Sequence, residues 1–365
     1  MLRPCWQCFD HPQEQERQVA QKRGPGSWTS WLGLGGSVMG VLVTGGAGYI
    51  GSHTVWELMK TQEVAVYDNL SKGHRRAVPA DIPFTAGDVR EEEKLVDTIR
   101  NQRIDTVIHF AADSLVGESM QDPAKYYGNN VVGTLVLLNT LRKCGIKRIV
   151  FSSTAAVYGE PEAWPIHEDL STNPTNVYGR TKLVIEGMLA DYARAYGLRY
   201  VSLRYFNAAG SQGGGKLGED HTPETHLIPL VLKTDLGQRE AIDIYGIDYP
   251  TPDGTCIRDY IHVTDLARAH VLALEHLQAG GDSRIYNLGS ETGYSVREVI
   301  DRARLITGVD FPVREKERRP GDPAVLVASA QRIREELGWE RAYSLDAIID
   351  TAWHWHKENP QGFVE

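Results

Sequence analysis

Positive charge, cysteine and long apolar runs are all scarce in this chain, and each shortage argues against a class of function. Lys and Arg number 39 against 48 Asp and Glu, a formal net charge of −9, so no broad basic face is expected for a nucleic-acid backbone. The densest basic stretch, Arg314–Arg319, is broken by Glu315 and Glu317. A small anionic ligand needs only a few placed cations and remains compatible. No apolar run approaches the roughly 20 residues that cross a bilayer, so no membrane association is expected. Four cysteines in 365 residues are too few for a disulfide scaffold and point to a reducing cytoplasm. Cys5, Cys8 and His11 have metal-ligand spacing, but no adjacent fourth ligand follows, and no metal is expected. Residues 1–38 show no sustained period and no compact apolar segment of a secretion signal. They are expected to be a disordered or spurious extension ahead of a start at Met39.

Order begins with Val41-Leu42-Val43, a short apolar run followed by Thr44-Gly45-Gly46-Ala47-Gly48-Tyr49-Ile50-Gly51 and a helical pattern. Strand, glycine-rich turn and helix in that order form a dinucleotide-binding loop. Gly45 suits a tight turn, Gly48 an approach of backbone to pyrophosphate, and Gly51 close helix packing. The next strand, Val64–Tyr67, ends in Asp68-Asn69. A carboxylate about 20 residues past the loop accepts the adenosine ribose hydroxyls and repels a 2′-phosphate, so NAD is the expected cofactor. A second acidic strand end follows at Asp88.

Tyr178-Gly179-Arg180-Thr181-Lys182 lies in a helical pattern over 177–196, which sets Tyr178 and Lys182 one turn apart on one face. A lysine cation ~4 Å from a phenolate favours it by about 4 kcal/mol at an effective dielectric of ~20, an upper bound near three pKa units. That shift brings a tyrosine toward use as a base near neutral pH.

Strand-length runs recur at 82–85, 106–110, 148–151 and 200–203, with helical patterns at about 91–100, 122–143 and 177–196. The alternation predicts a doubly wound parallel α/β (Rossmann) sheet with ligands at the carboxyl ends of its strands. Past residue 208 the pattern gives way to Gly- and Pro-rich loops with short strands. The expected division is an NAD-binding domain over 39–207 and a smaller, discontinuous C-terminal lobe over 208–365, mainly for substrate, with some segments returning to the first domain.

The blocks Thr44–His53, His109–Ser119, Phe151–Gly159, Tyr178–Lys182, Arg204–Asn207, Gly246–Leu266 and Arg318–Asp322 together resemble the extended short-chain dehydrogenase/reductases. Within them the chain is similar to the NAD-dependent epimerase/dehydratase branch that inverts UDP-hexoses at C4. The resemblance runs from Val41 to about Gly362. It implies interconversion of UDP-glucose and UDP-galactose through a transient 4-keto sugar on tightly bound NAD, in galactose metabolism, and a homodimer. Catalysis is assigned by it to Tyr178, Lys182 and Thr154. The NAD contacts it implies are Gly45, Gly48, Tyr49, Ile50, Gly51, Asp68, Asn69, Asp88, Val89, Phe110, Ala111, Ala112, Asn129, Tyr178, Lys182 and Phe206. For the UDP-sugar it implies Thr154, Tyr178, Asn207, Leu227, Arg258, Arg319, Asp322 and Leu326. Arg258 and Arg319 suit a diphosphate, because planar guanidinium groups grip phosphate oxygens in pairs. Ser114 stands where some relatives carry lysine, and Leu326 where others carry tyrosine or a smaller residue.

Sister dehydratases and decarboxylases place a carboxylate beside the serine or threonine at the position of Thr154. Here Ala155-Ala156-Val157-Tyr158 follows, with no acid for elimination. A UDP-glucuronate epimerase stays compatible. A non-catalytic NAD-binding protein needs neither Tyr178 nor Lys182.

Overall fold

Gly40–Thr44 is buried at every position, as a strand covered on both faces must be. Its side chains alternate between two cores. Val41 and Val43 join Val66, Ile108, Val150 and Val201 on one face; Leu42 joins Ala65, Tyr67, Val107, Ile149 and Phe151 on the other. The first face is covered by the helices Tyr49–Leu58 and Val263–Gln278, through residues such as Val55, Leu58, Leu266 and Ala273. The second is covered by Glu92–Asn101, Gly133–Cys144 and Val177–Tyr196, through Leu95, Leu137, Ile185 and Leu189. This computed structural model describes residues 40–319 and 322–364; the expectation for 1–38 lies outside them.

The seven-stranded sheet runs Phe84–Ala86, Val64–Asp68, Gly40–Thr44, Ile104–His109, Arg148–Ser152, Arg199–Tyr205, Arg284–Leu288. All six pairings are parallel, so the expected doubly wound α/β sheet is present. Strand order reverses between Gly40–Thr44 and Ile104–His109, and the crevice at their carboxyl ends is where such sheets bind ligands.

Two elements differ from expectation. The strand predicted at 82–85 is Phe84–Ala86, because Pro83 has no N–H for the ladder and offers only its carbonyl to Val66 N at 2.8 Å. The single helix predicted over 122–143 is divided into Pro123–Tyr126, a π-helical turn Tyr127–Val132, and Gly133–Cys144. Side chains from that turn bond the loop after the fourth strand, and a π turn often marks such a local demand.

Past the sixth strand, Asn207–Ala209 pairs with Tyr260–His262, and Ile242–Tyr245 with Val313–Lys316. Ile257–Arg258 pairs antiparallel with Tyr294–Ser295 and parallel with Val325–Leu326. A third core, including Ile228, Val231, Ile244, Ile300 and Ile348, fills this region.

Candidate active site

The glycine turn is shaped by close approach. Gly45 has φ +74°, and a Cβ there would lie 2.5 Å from Ala111 N on the neighbouring strand end. At Gly51 a Cβ would lie 2.2 Å from Gly45 O, so the helix start folds back on the turn. The helix Tyr49–Leu58 begins at Gly48 with no capping side chain, and Gly48, Tyr49 and Ile50 line the cavity. A helix N-terminus offers amide donors and positive dipole to phosphate.

Asp68 closes one end of this crevice. Its Oδ2 accepts from Ala47 N at 2.9 Å and its Oδ1 from Leu70 N at 2.7 Å. Burial pushes its carboxyl up and the two amides pull it back. Asn69, Val89, Phe110, Ala111, Ala112 and Asn129 line the same space. A fixed carboxylate beside a turn that admits no Cβ fits the ribose and pyrophosphate of NAD. Asp88 is the exception among the residues expected around the cofactor. It does not line the cavity; it accepts from Asn69 Nδ2 at 3.0 Å and from Arg90 Nε at 2.7 Å, and the guanidinium holds it well below the ordinary carboxylate range.

Asp68→Ala is expected to lower NAD affinity about ten- to a hundredfold, the range for hydrogen bonds to a charged group, and to relax discrimination against NADP. Equilibrium binding of both cofactors measures it. An unchanged NAD/NADP ratio would move the ribose contact elsewhere, with Asn69 the first candidate.

Two residues not singled out from sequence hold the crevice. Asn130 accepts from Asp113 N at 2.8 Å and donates to Asp113 O at 3.0 Å and to Thr181 Oγ1 at 3.1 Å. It thereby ties the π turn to the helix carrying Tyr178. Buried His109 bridges Thr44 and Thr134 at 2.7 and 2.9 Å. Thr134 donates to Asn130 O, so His109 Nε2 carries the proton and Nδ1 accepts from Thr44. Burial pulls this imidazole down to about 3, keeping it neutral.

Tyr178 and Lys182 share one helix face, and both line the cavity with Thr154, Phe206 and Asn207. Asn176 caps the helix by accepting from Gly179 N at 2.8 Å, and Tyr178 N donates to Ser119 Oγ at 3.1 Å. The electrostatics differ from the expectation of a lysine-lowered phenol. Burial pushes Tyr178 up to about 12, opposed by a hydrogen bond with the Thr154 hydroxyl. Lys182 Nζ instead donates to Ser152 O at 2.8 Å and lies 5.9 Å from the Tyr178 ring centre. Burial pulls Lys182 down to about 7, against the Glu186 charge. The ammonium is drawn to a strand-end carbonyl rather than to the phenol.

A buried polar chain supports this region. Glu186 accepts from Ser153 Oγ at 2.6 Å and from Arg204 Nε at 3.0 Å. Arg204 also donates to Tyr158 Oη, which donates to Asn287 Oδ1, both at 2.8 Å.

The substrate candidates fall into two groups. Thr154, Tyr178 and Asn207 line the cavity next to Phe206, expected on the cofactor, whereas Leu227 does not line it and opens the helix that follows the lining residue His226. Arg258 is ion-paired with Asp322, and Leu326 pairs with Arg258 across parallel strands. Arg319 stacks at 4.0 Å over the Tyr245 ring. These four do not line the cavity around Tyr178. Leu326 packs against the Val157–Tyr158–Ile166 cluster that Phe206 also touches. His221 and His226, not singled out from sequence, line the cavity as well. Glu219 holds the His226 imidazolium, raising it to about 9 against the effect of burial.

Residues 41–289 match the model of the NAD dependent epimerase/dehydratase family. A UDP-glucose 4-epimerase from Halalkalibacterium halodurans is 55% identical over 327 residues, 89% of this chain and 98% of the relative. The crystal structure of UDP-glucose 4-epimerase from Brucella ovis in complex with NAD is 52% identical, with a TM-score of 0.85 over 87% of this chain and 98% of that one. The enzyme from Bifidobacterium longum, in complex with NAD+ and UDP, is 41% identical, with a TM-score of 0.84 over 89% of this chain and 100% of that one.

Proposed function

The chain belongs to the NAD dependent epimerase/dehydratase family, and from that premise we infer that it acts as a UDP-glucose 4-epimerase. It is an NAD-dependent isomerase that interconverts UDP-glucose and UDP-galactose in galactose metabolism. The observation that carries the catalytic reading is the meeting of Tyr178, Thr154 and Lys182 in one cavity with the glycine turn.

NAD, when bound, supplies the hydride acceptor and donor for the sugar C4. The chain manages the proton. The Tyr178 oxygen takes it from the 4-hydroxyl as the C4–H bond breaks, and returns it when that bond re-forms on the opposite face of the 4-keto sugar. Tyr178 takes this proton as the phenolate and becomes the phenol; because burial raises the phenol to about 12, the base form depends on hydrogen bonding to the phenolate before the transfer, and the Thr154 hydroxyl is the donor in place. Lys182 fixes the end of the strand Arg148–Ser152, two residues before Thr154, through the Ser152 carbonyl. Arg258 and Arg319 are assigned to the diphosphate, with Asp322 orienting Arg258.

Residues 39–207 are assigned to NAD and 208–365 mainly to the UDP-sugar. Exposed Val116, Met120, Tyr127, Val132, Leu135 and Val184, on helices between 116 and 196, support a homodimer, which a monomeric mass in light scattering would contradict. Free Cys144 and Cys256 are in keeping with a cytoplasmic enzyme. Among the described residues no helix is long and apolar enough to cross a membrane.

Purified protein given UDP-galactose without added NAD is expected to form UDP-glucose; none formed by NAD-loaded protein would overturn the reading. Leu326 is assigned to the boundary of sugar choice. Larger than the small residues of relatives that handle N-acetylhexosamines, it should allow only weak UDP-N-acetylgalactosamine turnover. Leu326→Ala is expected to improve that substrate relative to UDP-galactose by about 1–3 kcal/mol in the kcat/KM ratio, the usual range for shape discrimination. An unchanged ratio would remove Leu326 from the sugar pocket.

A further inference from the structure

The loop leading to Leu227 gathers four side chains that the epimerisation chemistry does not use. Glu219, His221, Glu224 and His226 follow an alternating E-x-H-x-x-E-x-H spacing, and one ligand atom from each lies within 4.8 Å of all the others. His221 Nδ1 is 3.2 Å from Glu219 Oε1 and 3.7 Å from Glu224 Oε2. His226 Nδ1 contacts Glu219 directly. A tetrahedral ion bound at about 2.0–2.1 Å sets its ligand atoms about 3.3 Å apart. The four ligand atoms, all within 4.8 Å of one another, lie near that spacing.

A second observation comes from Glu224. Its side chain is only 4% exposed. Thr225 N and His226 N both donate to its Oε1, at 2.7 and 2.9 Å, whereas buried Oε2 accepts no hydrogen bond among the described residues. A buried carboxylate oxygen without a donor is costly, and this one faces the His221 imidazole. The backbone behind the cluster is also held, since Trp355 Nε1 donates to Glu219 O at 3.3 Å. Such support around ligands fixes their orientation.

We propose that Glu219, His221, Glu224 and His226 bind a divalent transition metal of the zinc class, with release to solvent of the proton that His226 shares with Glu219. Two imidazoles with two carboxylates suit zinc, whereas calcium and magnesium favour sets made of oxygen alone. The two carboxylate charges balance the ion. Four protein ligands complete a tetrahedron and leave no open position, so the metal is a brace, not a Lewis acid for the sugar. Because His221 and His226 line the cavity, the brace fixes the cavity wall just before Leu227.

The test uses the full, NAD-loaded chain with Cys5→Ser and Cys8→Ser, which removes the other candidate thiolate pair. After removal of metals, it is titrated with Zn2+ against a chromophoric chelator and, separately, with Co2+. About one zinc per chain, a zinc-dependent rise in Tm and the intense visible absorption of tetrahedral Co2+ are expected. Introducing His221→Gln or Glu224→Gln into this chain should abolish the cobalt spectrum and most zinc binding, with circular dichroism reporting that each variant is folded. Failure of the parent protein to compete for zinc would overturn the proposal, whatever the variants do. Undiminished binding in both variants would also overturn it.

Discussion

Tyr178→Phe is expected to lower turnover at least ~10²-fold, the floor for removing a general acid–base group, while NAD binding and Tm stay close to those of the parent. The change deletes one oxygen and keeps the buried ring. Only the Thr154 hydrogen bond is lost with it. Steady-state kinetics at saturating UDP-galactose, with bound NAD quantified in the same sample, separates loss of proton transfer from loss of cofactor. Near-normal turnover would reject Tyr178 as the proton carrier.

Glu186→Ala is expected to destabilise the fold by about 3–5 kcal/mol, the cost of leaving one partner of a buried ion pair uncompensated. The side chains of Arg204 and Glu186 are 5% and 4% exposed, so little water can reach a stranded guanidinium. The loss also frees the Ser153 hydroxyl, one residue before Thr154. Denaturant unfolding gives the stability, and the double change Glu186→Leu with Arg204→Met should recover much of it, because apolar replacement of a whole buried pair is often close to neutral. A loss below about 1 kcal/mol in the single variant would show that the pair behaves as an exposed one.

What could be read from the sequence was local in origin. The glycine turn, Asp68 and the Tyr178–Lys182 spacing each lie within a short stretch whose periodicity determines geometry, and the structure gathers them around one crevice. The target of Lys182 was not legible, because Ser152 O belongs to a strand end far away in sequence and only the fold brings it within 2.8 Å. Asp88 illustrates the same limit: its position at a strand end was plain, but its neighbour Arg90 captures the carboxylate. The π turn at Tyr127–Val132 leaves no mark in the sequence because apolar periodicity tolerates one wide turn, and its demand comes from Asp113. The His221–His226 cluster has a visible spacing, yet it lies in a loop where neither helical nor strand period draws attention to it.

By the proposed mechanism C4 is inverted by reversible oxidation within one site, and Tyr178 moves only the proton. UDP-galactose deuterated at C4 offers the most direct measurement, using purified protein in ordinary water without added NAD. UDP-glucose is expected to keep the deuterium at C4; product carrying solvent hydrogen at C4 would rule this mechanism out.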